Sequence, residues 1–109
     1  METINNIRTT FLNWTKGKIP GFSGKDLINI EQVTVKLVKV EPNAKYPIHI
    51  HPDKTEFAFV VEGKPEFIIN QINYVSEVHD FFIFPQNLPH TIINNTNQPC
   101  LLLIGGIKQ

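Results

Sequence analysis

The chain has 109 residues, of which 41% are hydrophobic, and its ten basic and ten acidic side chains give a formal net charge of zero. This length suits one domain with a real core, and the balanced charge argues against a nucleic-acid or anionic-membrane partner held by bulk charge. We expect a cytoplasmic protein, because no window approaches the roughly 18 apolar residues of a membrane span, the N-terminus lacks a signal-peptide pattern, and Cys100 is the single cysteine.

Residues 1–30 carry the weakest pattern. The apolar residues around Phe11 are compatible with one helical turn or with a short strand over 8–14, and the stretch 16–24, with three Gly and one Pro, predicts a loop. We therefore interpret residues 1–30 as an arm that precedes a β-rich domain at residues 31–109.

From residue 31 onward, short β-forming runs alternate with turn residues. Val33, Val35 and Leu37 alternate with polar neighbours, which is typical of a half-buried strand. Further strands are predicted around 49–51, 55–62, 66–69, 72–75, 81–84, 90–94 and 100–104. The run 81–84 is apolar enough to be buried on both faces, and 105–106 is expected to begin a tail. Some eight short strands at this spacing indicate an all-β barrel or sandwich.

Three histidines and a carboxylate are distributed along these strands. His49 and His51 are two residues apart, which puts both imidazoles on one face of an extended strand. Glu56 lies at the start of the next strand, and His90 starts a later one after a Pro-rich turn. Imidazole and carboxylate are ligands that Fe, Mn, Ni, Cu or Zn accept, so these residues predict a site for one divalent transition-metal ion.

Two motifs carry a family resemblance. They read His49-x-His51-x4-Glu56-x6-Gly63 and Pro85-x-Asn87-x2-His90-x3-Asn94. The pair resembles the two motifs of the cupin superfamily. The resemblance implies a small single-domain cupin, which is a double-stranded β-helix or jelly-roll barrel with the metal inside near its mouth. It also implies that an arm such as residues 1–30 packs on the cupin barrel, here residues 31–109, or on a partner subunit.

Three positions depart from the family pattern, where Gly is usual. They are occupied here by Asn43, His79 and Asn87. Asn and His are among the residues that best tolerate a positive φ, so we expect the turns to be preserved. For the same reason we interpret His79 as a structural turn residue and not as a catalytic acid or base.

The predicted pocket lining is mostly apolar. Beyond the ligands it comprises Ala58, Val60, Phe82, Phe84 and Ile92. An apolar pocket suits an aromatic or otherwise apolar substrate that is coordinated through oxygen, and no Arg or Lys cluster suited to a sugar phosphate is evident. The cupin resemblance implies a metal-dependent small-molecule enzyme, and this lining favours dioxygenase-like chemistry. The alternatives are a metal-dependent isomerase or lyase acting on a sugar or keto acid, or a non-catalytic cupin that binds a small ligand.

The predicted strand 55–62 also indicates self-association. If Glu56 points into the barrel, Phe57 and Phe59 point out of it. Two exposed aromatic side chains on one sheet face need cover. We therefore expect a homodimer.

Overall fold

The computed structural model describes residues 5–109, whose regular secondary structure consists of strands and one 3₁₀ turn at Thr9–Phe11. The strands are β1 (Thr15–Lys16), β2 (Phe22–Asn29), β3 (Val33–Val40), β4 (Lys54–Glu62), β5 (Glu66–Ile69), β6 (Ile72–Val75), β7 (Phe81–Phe84), β8 (His90–Ile93) and β9 (Cys100–Lys108). Within the described residues, none of the helical segments has the length and apolar character needed to cross a membrane.

The strands form two antiparallel sheets that share one core. The larger sheet has the order β1-β2-β3-β9-β4-β7, and the smaller has the order β6-β5-β8. Val40, Val60 and Leu102 from the larger sheet and Phe67 and Ile92 from the smaller belong to one buried cluster. The prediction of an all-β jelly-roll barrel is thereby confirmed.

The turns use the residues that the sequence marks for them. Asn43, His79 and Asn87 have φ values of 65°, 76° and 65°, so the predicted positive φ is present at all three positions. Gly63 has a φ of 87°, and a Cβ atom there would lie 2.8 Å from Cys100 Sγ. Residues 63–65 connect the two sheets, because β4 pairs with β7 and β9 while β5 pairs with β6 and β8.

The N-terminal part of the larger sheet was not evident in the sequence. The loop predicted over 16–24 is wrong at both ends, since Lys16 lies in β1 and 22–24 begin β2. β2 pairs with β3 along its whole length, so residues 15–29 of the expected arm belong to the sheet. Residues 1–4 of that arm lie outside the described residues, and packing on a partner subunit stays a prediction.

The C-terminal strand is longer than its sequence suggests. The expected tail at 105–106 is wrong, because both glycines continue β9 as far as Lys108. A Cβ atom at Gly105 would collide with the Phe57 ring, so glycine lets this ring lie directly on the strand. Gly thus serves close packing here and does not mark the end of the sheet.

The outer face of the larger sheet is apolar. Phe57 stacks on Phe81 with ring centroids 5.4 Å apart, and Phe59 stacks on His79 at 5.8 Å. Phe81 and Ile83 are 56% and 55% exposed, so the prediction that 81–84 is buried on both faces is wrong for this single chain. An exposed apolar patch of this kind is typical of protein–protein contacts. The homodimer therefore stays a prediction, with this face as its interface.

Replacing Phe59 with Asp is expected to shift the protein from dimer to monomer, because it places a charge in the centre of the apolar face. Sedimentation velocity measures the change. Ile72→Asp is the matched control, since Ile72 is 55% exposed but lies on β6 of the other sheet. A monomeric wild type, or equal sedimentation of all three proteins as dimers, would contradict this interface.

Candidate metal centre

Backbone hydrogen bonds hold the two histidine-bearing segments together. The N–H of His49 donates to the carbonyl of His90 over 3.1 Å, and the N–H of His90 donates to the carbonyl of His49 over 3.0 Å. The N–H of Asn87 donates to the carbonyl of His51 over 3.0 Å. The segment 49–51 forms a single bridge instead of the predicted regular strand, yet it brings both imidazoles beside β8.

Glu56 reaches the same place from the larger sheet. It lies on β4, opposite Gly106 of β9 and Phe84 of β7. Its Oε1 atom lies 3.1 Å from His51 Nε2 and 3.3 Å from His90 Nε2. The structure thus brings together the three imidazoles and the carboxylate that the sequence singles out, with one ligand atom of each within 4.8 Å of the others. Such a group could bind one metal ion.

The hydrogen bonds of the imidazoles suit this role. His49 Nδ1 lies 2.9 Å from the carbonyl oxygen of Pro47, and His90 Nδ1 lies 3.3 Å from that of Leu88. A carbonyl oxygen only accepts, so His49 Nδ1 carries the proton and donates it. The Nε2 of His49 is then left with its lone pair free for a metal ion, whereas His90 Nε2 lies 3.3 Å from Glu56 Oε1.

The protonation states of the cluster also suit a cation. Desolvation by burial lowers the pKa of His49 and of His51 below the ordinary histidine value, so both are neutral at pH 7. Burial alone would raise the pKa of Glu56, but the hydrogen bond with His90 and the charge of Lys54 bring it below its ordinary value. Two neutral imidazoles, the imidazole of His90 and one carboxylate therefore face one point, and this donor set fits a divalent transition-metal ion.

The four ligands line a cavity of about 740 Å³. Of the five predicted pocket residues, Phe84 and Ile92 line it. Ala58 and Val60 do not, because they are completely buried in the core. Both side chains share the inward face of β4 with Glu56, as predicted. They lie deeper than Glu56, however, where side chains fill the interior of a small barrel and leave no cavity.

Phe82, the fifth predicted lining residue, is likewise absent from the cavity wall. Its ring stacks on that of Phe67 with centroids 4.3 Å apart, so it packs between the sheets. Tyr46, in contrast, lines the cavity, and its ring centroid lies 4.8 Å from that of His49. Cys100 is buried in the core, where desolvation raises the pKa of its thiol, as suits a packing residue.

The cavity wall is more basic than the sequence suggests, and the expectation that no Lys cluster is present is wrong. Lys16, Lys18, Lys36 and Lys54 all line the cavity, together with Asp26. Lys25 also borders it, but its Nζ donates to the carbonyl of Thr9 over 2.8 Å and lies 4.5 Å from the centre of the Trp14 ring.

The register of β3 explains why Lys36 was missed. Lys36 pairs with Ile104 and Val38 pairs with Leu102, so the even-numbered residues of β3 face the barrel interior. Val38 and Val40 are buried there, whereas Val33, Val35 and Leu37 are only partly buried on the outer face. Strand alternation reveals two faces but not which of them points inward.

An antiparallel jelly roll with three histidines and a glutamate gathered in its cavity defines a small β-barrel with a candidate metal centre. The family comparison agrees with this description. The chain belongs to the cupin domain family, whose profile matches residues 36–105.

Individual curated proteins are also similar to this chain in sequence. Germin-like protein subfamily 2 member 2 of Arabidopsis thaliana is 31% identical over 91 residues, which are 79% of this chain and 39% of that protein. The chain spans about two fifths of the length of the curated relatives it matches.

Two solved structures resemble this chain in fold over at least 95% of its length. The cupin domain of Cnp3 from Schizosaccharomyces pombe has a TM-score of 0.89 at 15% identity, covering 100% of this chain and 77% of that one. A protein from Thermotoga maritima described as a predicted oxalate decarboxylase has a TM-score of 0.88 at 17% identity, covering 95% and 99%. Similarity at this level of identity shows the fold alone.

Proposed function

We propose that this protein is a metal-dependent enzyme acting on a small anionic molecule, as an isomerase or lyase of a sugar or keto acid does. The residues that would hold the divalent ion are His49, His51, Glu56 and His90. When bound, such an ion supplies a Lewis acid for a carbonyl or carboxylate oxygen. Which of Fe, Mn, Ni, Cu or Zn is used is a matter for elemental analysis.

The lysine-lined wall beside the ligand cluster is the observation that carries this proposal. Five lysines and one aspartate border the cavity outside the cluster, so the wall is cationic. A concave surface of one sign concentrates ligands of the opposite sign. Ammonium groups also form charge-assisted hydrogen bonds with carboxylates and phosphates. A substrate with one oxygen at the cluster and a carboxylate or phosphate at the wall fits this arrangement.

Lys36 is the lysine best placed to bind such a substrate. It lies on the inner face of β3, in register with Ile104, which also lines the cavity. Its side chain is exposed, so it remains free to turn toward a ligand. Asp26 lies opposite Lys36 on β2 and offers an acceptor for a hydroxyl group beside the anion.

The dioxygenase-like chemistry favoured by the sequence rested on an apolar lining. Phe84, Ile92 and Ile104 do provide an apolar side to the cavity, but the lysines provide a polar one. A neutral aromatic substrate would use only the apolar side of the cavity, whereas an anionic substrate uses both sides. The balance of the lining therefore favours an isomerase or lyase.

The test is turnover by protein reconstituted separately with Zn(II), Mn(II), Fe(II), Ni(II) and Cu(II). Proton NMR in D₂O follows a panel of 2-keto acids, uronic acids and sugar phosphates, and an oxygen electrode follows catechols and flavonols. We expect turnover of an anionic substrate without oxygen uptake. Lys36→Met should raise KM for that substrate about 10-fold, which corresponds to the loss of one charge-assisted hydrogen bond.

Lys39→Met is the matched control, because Lys39 lies on the outer face of the same strand with its Nζ 4.8 Å from the centre of the Trp14 ring. It should leave KM unchanged. Substrate-dependent oxygen uptake with catechols alone would overturn the proposal in favour of a dioxygenase. Binding of the anions without turnover under any metal would indicate a non-catalytic binding protein.

A further inference from the structure

The two carboxylate oxygens of Glu56 face different partners. Oε1 lies toward the histidines, 3.1 Å from His51 Nε2 and 3.3 Å from His90 Nε2. Oε2 lies 3.5 Å from Lys54 Nζ. One oxygen of the carboxylate thus contacts the histidine cluster, and the other contacts a lysine two residues earlier on the same strand.

The local packing supports the contact between Lys54 and Glu56 Oε2. Lys54 and Glu56 lie on the same face of β4, since they are two residues apart on a strand. Both side chains pass close to Gly106 of β9. A Cβ atom there would lie 3.5 Å from Lys54 Cδ and 3.8 Å from Glu56 Cγ. The lysine stem therefore runs beside the carboxylate, and both side chains are mostly shielded, at 30% and 17% exposure.

This arrangement affects how the carboxylate can bind an ion. A free carboxylate can offer one oxygen or both to a metal. Two-oxygen binding would require Oε2 to turn away from the ammonium group and toward the cluster, with loss of a charge-assisted contact. Partners outside the ligand shell commonly set the orientation of the ligands in this way.

We propose that Lys54 is a positioning residue that restrains Glu56 Oε2, so that the carboxylate binds the metal through Oε1 alone. This inference rests on the proposed metal centre. Its consequence is that one coordination position, which a second carboxylate oxygen would occupy, remains available to substrate. The alternative is an incidental ion pair at the cavity edge, which contributes little to structure and nothing to the binding mode.

Infrared difference spectroscopy distinguishes a positioning role of Lys54 from an incidental ion pair. The separation between the asymmetric and symmetric carboxylate stretches is wide for one-oxygen binding and narrow for two-oxygen binding. The experiment uses protein labelled with ¹³C-carboxylate glutamate, and subtracts the metal-free spectrum from that of the Zn(II)-loaded protein. Glu56→Gln identifies the band of Glu56, because that band is absent from its difference spectrum.

We expect a wide separation in the wild type and a narrow one in Lys54→Met, with the wide separation restored in Lys54→Arg. Lys108→Met is the matched control and should behave as the wild type. Lys108 faces Lys54 across the β4–β9 pairing, so the two variants remove the same charge from neighbouring positions. Circular dichroism of the metal-free proteins verifies that all four variants are folded.

The outcomes separate this inference from the proposed function. A narrow separation in the wild type, or an unchanged separation in Lys54→Met, overturns the role of Lys54 while leaving the metal centre intact. Absence of zinc binding by the wild type overturns both. Loss of zinc binding in Lys54→Met but not in Lys54→Arg supports the proposal, because removing a positive charge does not weaken cation binding by electrostatics alone.

Discussion

Replacing His51 with Asn is expected to weaken Zn(II) binding on the order of 100-fold or more, since it removes a ligand and not merely a residue that orients one. His51 Nε2 lies 3.1 Å from Glu56 Oε1, at the centre of the cluster. The fold should survive, because the segment is held at this residue by its backbone carbonyl, which accepts from Asn87. Isothermal titration calorimetry measures the affinity.

His79→Asn is the control for this experiment. His79 has a φ of 76°, which Asn tolerates, and its ring stacks on Phe59 instead of facing the cluster. It should bind zinc as the wild type does. Equal affinity in the wild type and His51→Asn would mean that the cluster is not the binding site, whereas equal losses in both variants would indicate a general effect of removing histidine.

The ligand cluster could be predicted from the sequence because its geometry is mostly local. His49 and His51 need only an extended backbone to share a face, and Glu56 needs only to lie at the start of the next strand. His90 is the exception, since it is 34 positions beyond Glu56 and meets it only through the pairing of separate segments. The place of His90 in the cluster is therefore indicated by the family motif and not by local strand geometry.

The cavity wall could not be predicted in the same way. Its lysines come from strands whose inward face depends on distant pairing, as Lys36 shows, and from the N-terminal segment, where Lys16 and Lys18 precede β2. Gly and Pro in that segment indicated a loop, but pairing with β3 overrode the local preference. Part of the basic side of the cavity wall thus comes from the stretch of the chain where sequence patterns are weakest.

The candidate metal ligands also depend on the core beneath them, and Phe84 is the residue that connects the two. It is 1% exposed, and its ring stacks on His90 with centroids 4.5 Å apart and an interplanar angle of 10°. It also pairs with Glu56 across the β4–β7 ladder. Phe84 therefore adjoins candidate ligands from both sheets, His90 through its ring and Glu56 through the strand pairing.

Phe84→Ala is expected to lower the free energy of unfolding of the metal-free protein by about 3–5 kcal/mol, the usual cost of removing a buried phenylalanine ring. Urea denaturation measures this cost. Phe11→Ala is the control, because Phe11 is 80% exposed, and its effect should stay within about 0.5 kcal/mol. A loss below about 1 kcal/mol in Phe84→Ala would contradict the tight packing described here.

Metal affinity shows whether the Phe84 ring only fills the core or also orients His90. If Phe84 only fills the core, the folded fraction of Phe84→Ala binds Zn(II) as tightly as the wild type does. If the ring also orients His90, affinity falls even when it is corrected for the unfolded fraction, because the imidazole gains freedom that metal binding must remove. We expect the second result, since the flat stacking leaves His90 little room to rotate.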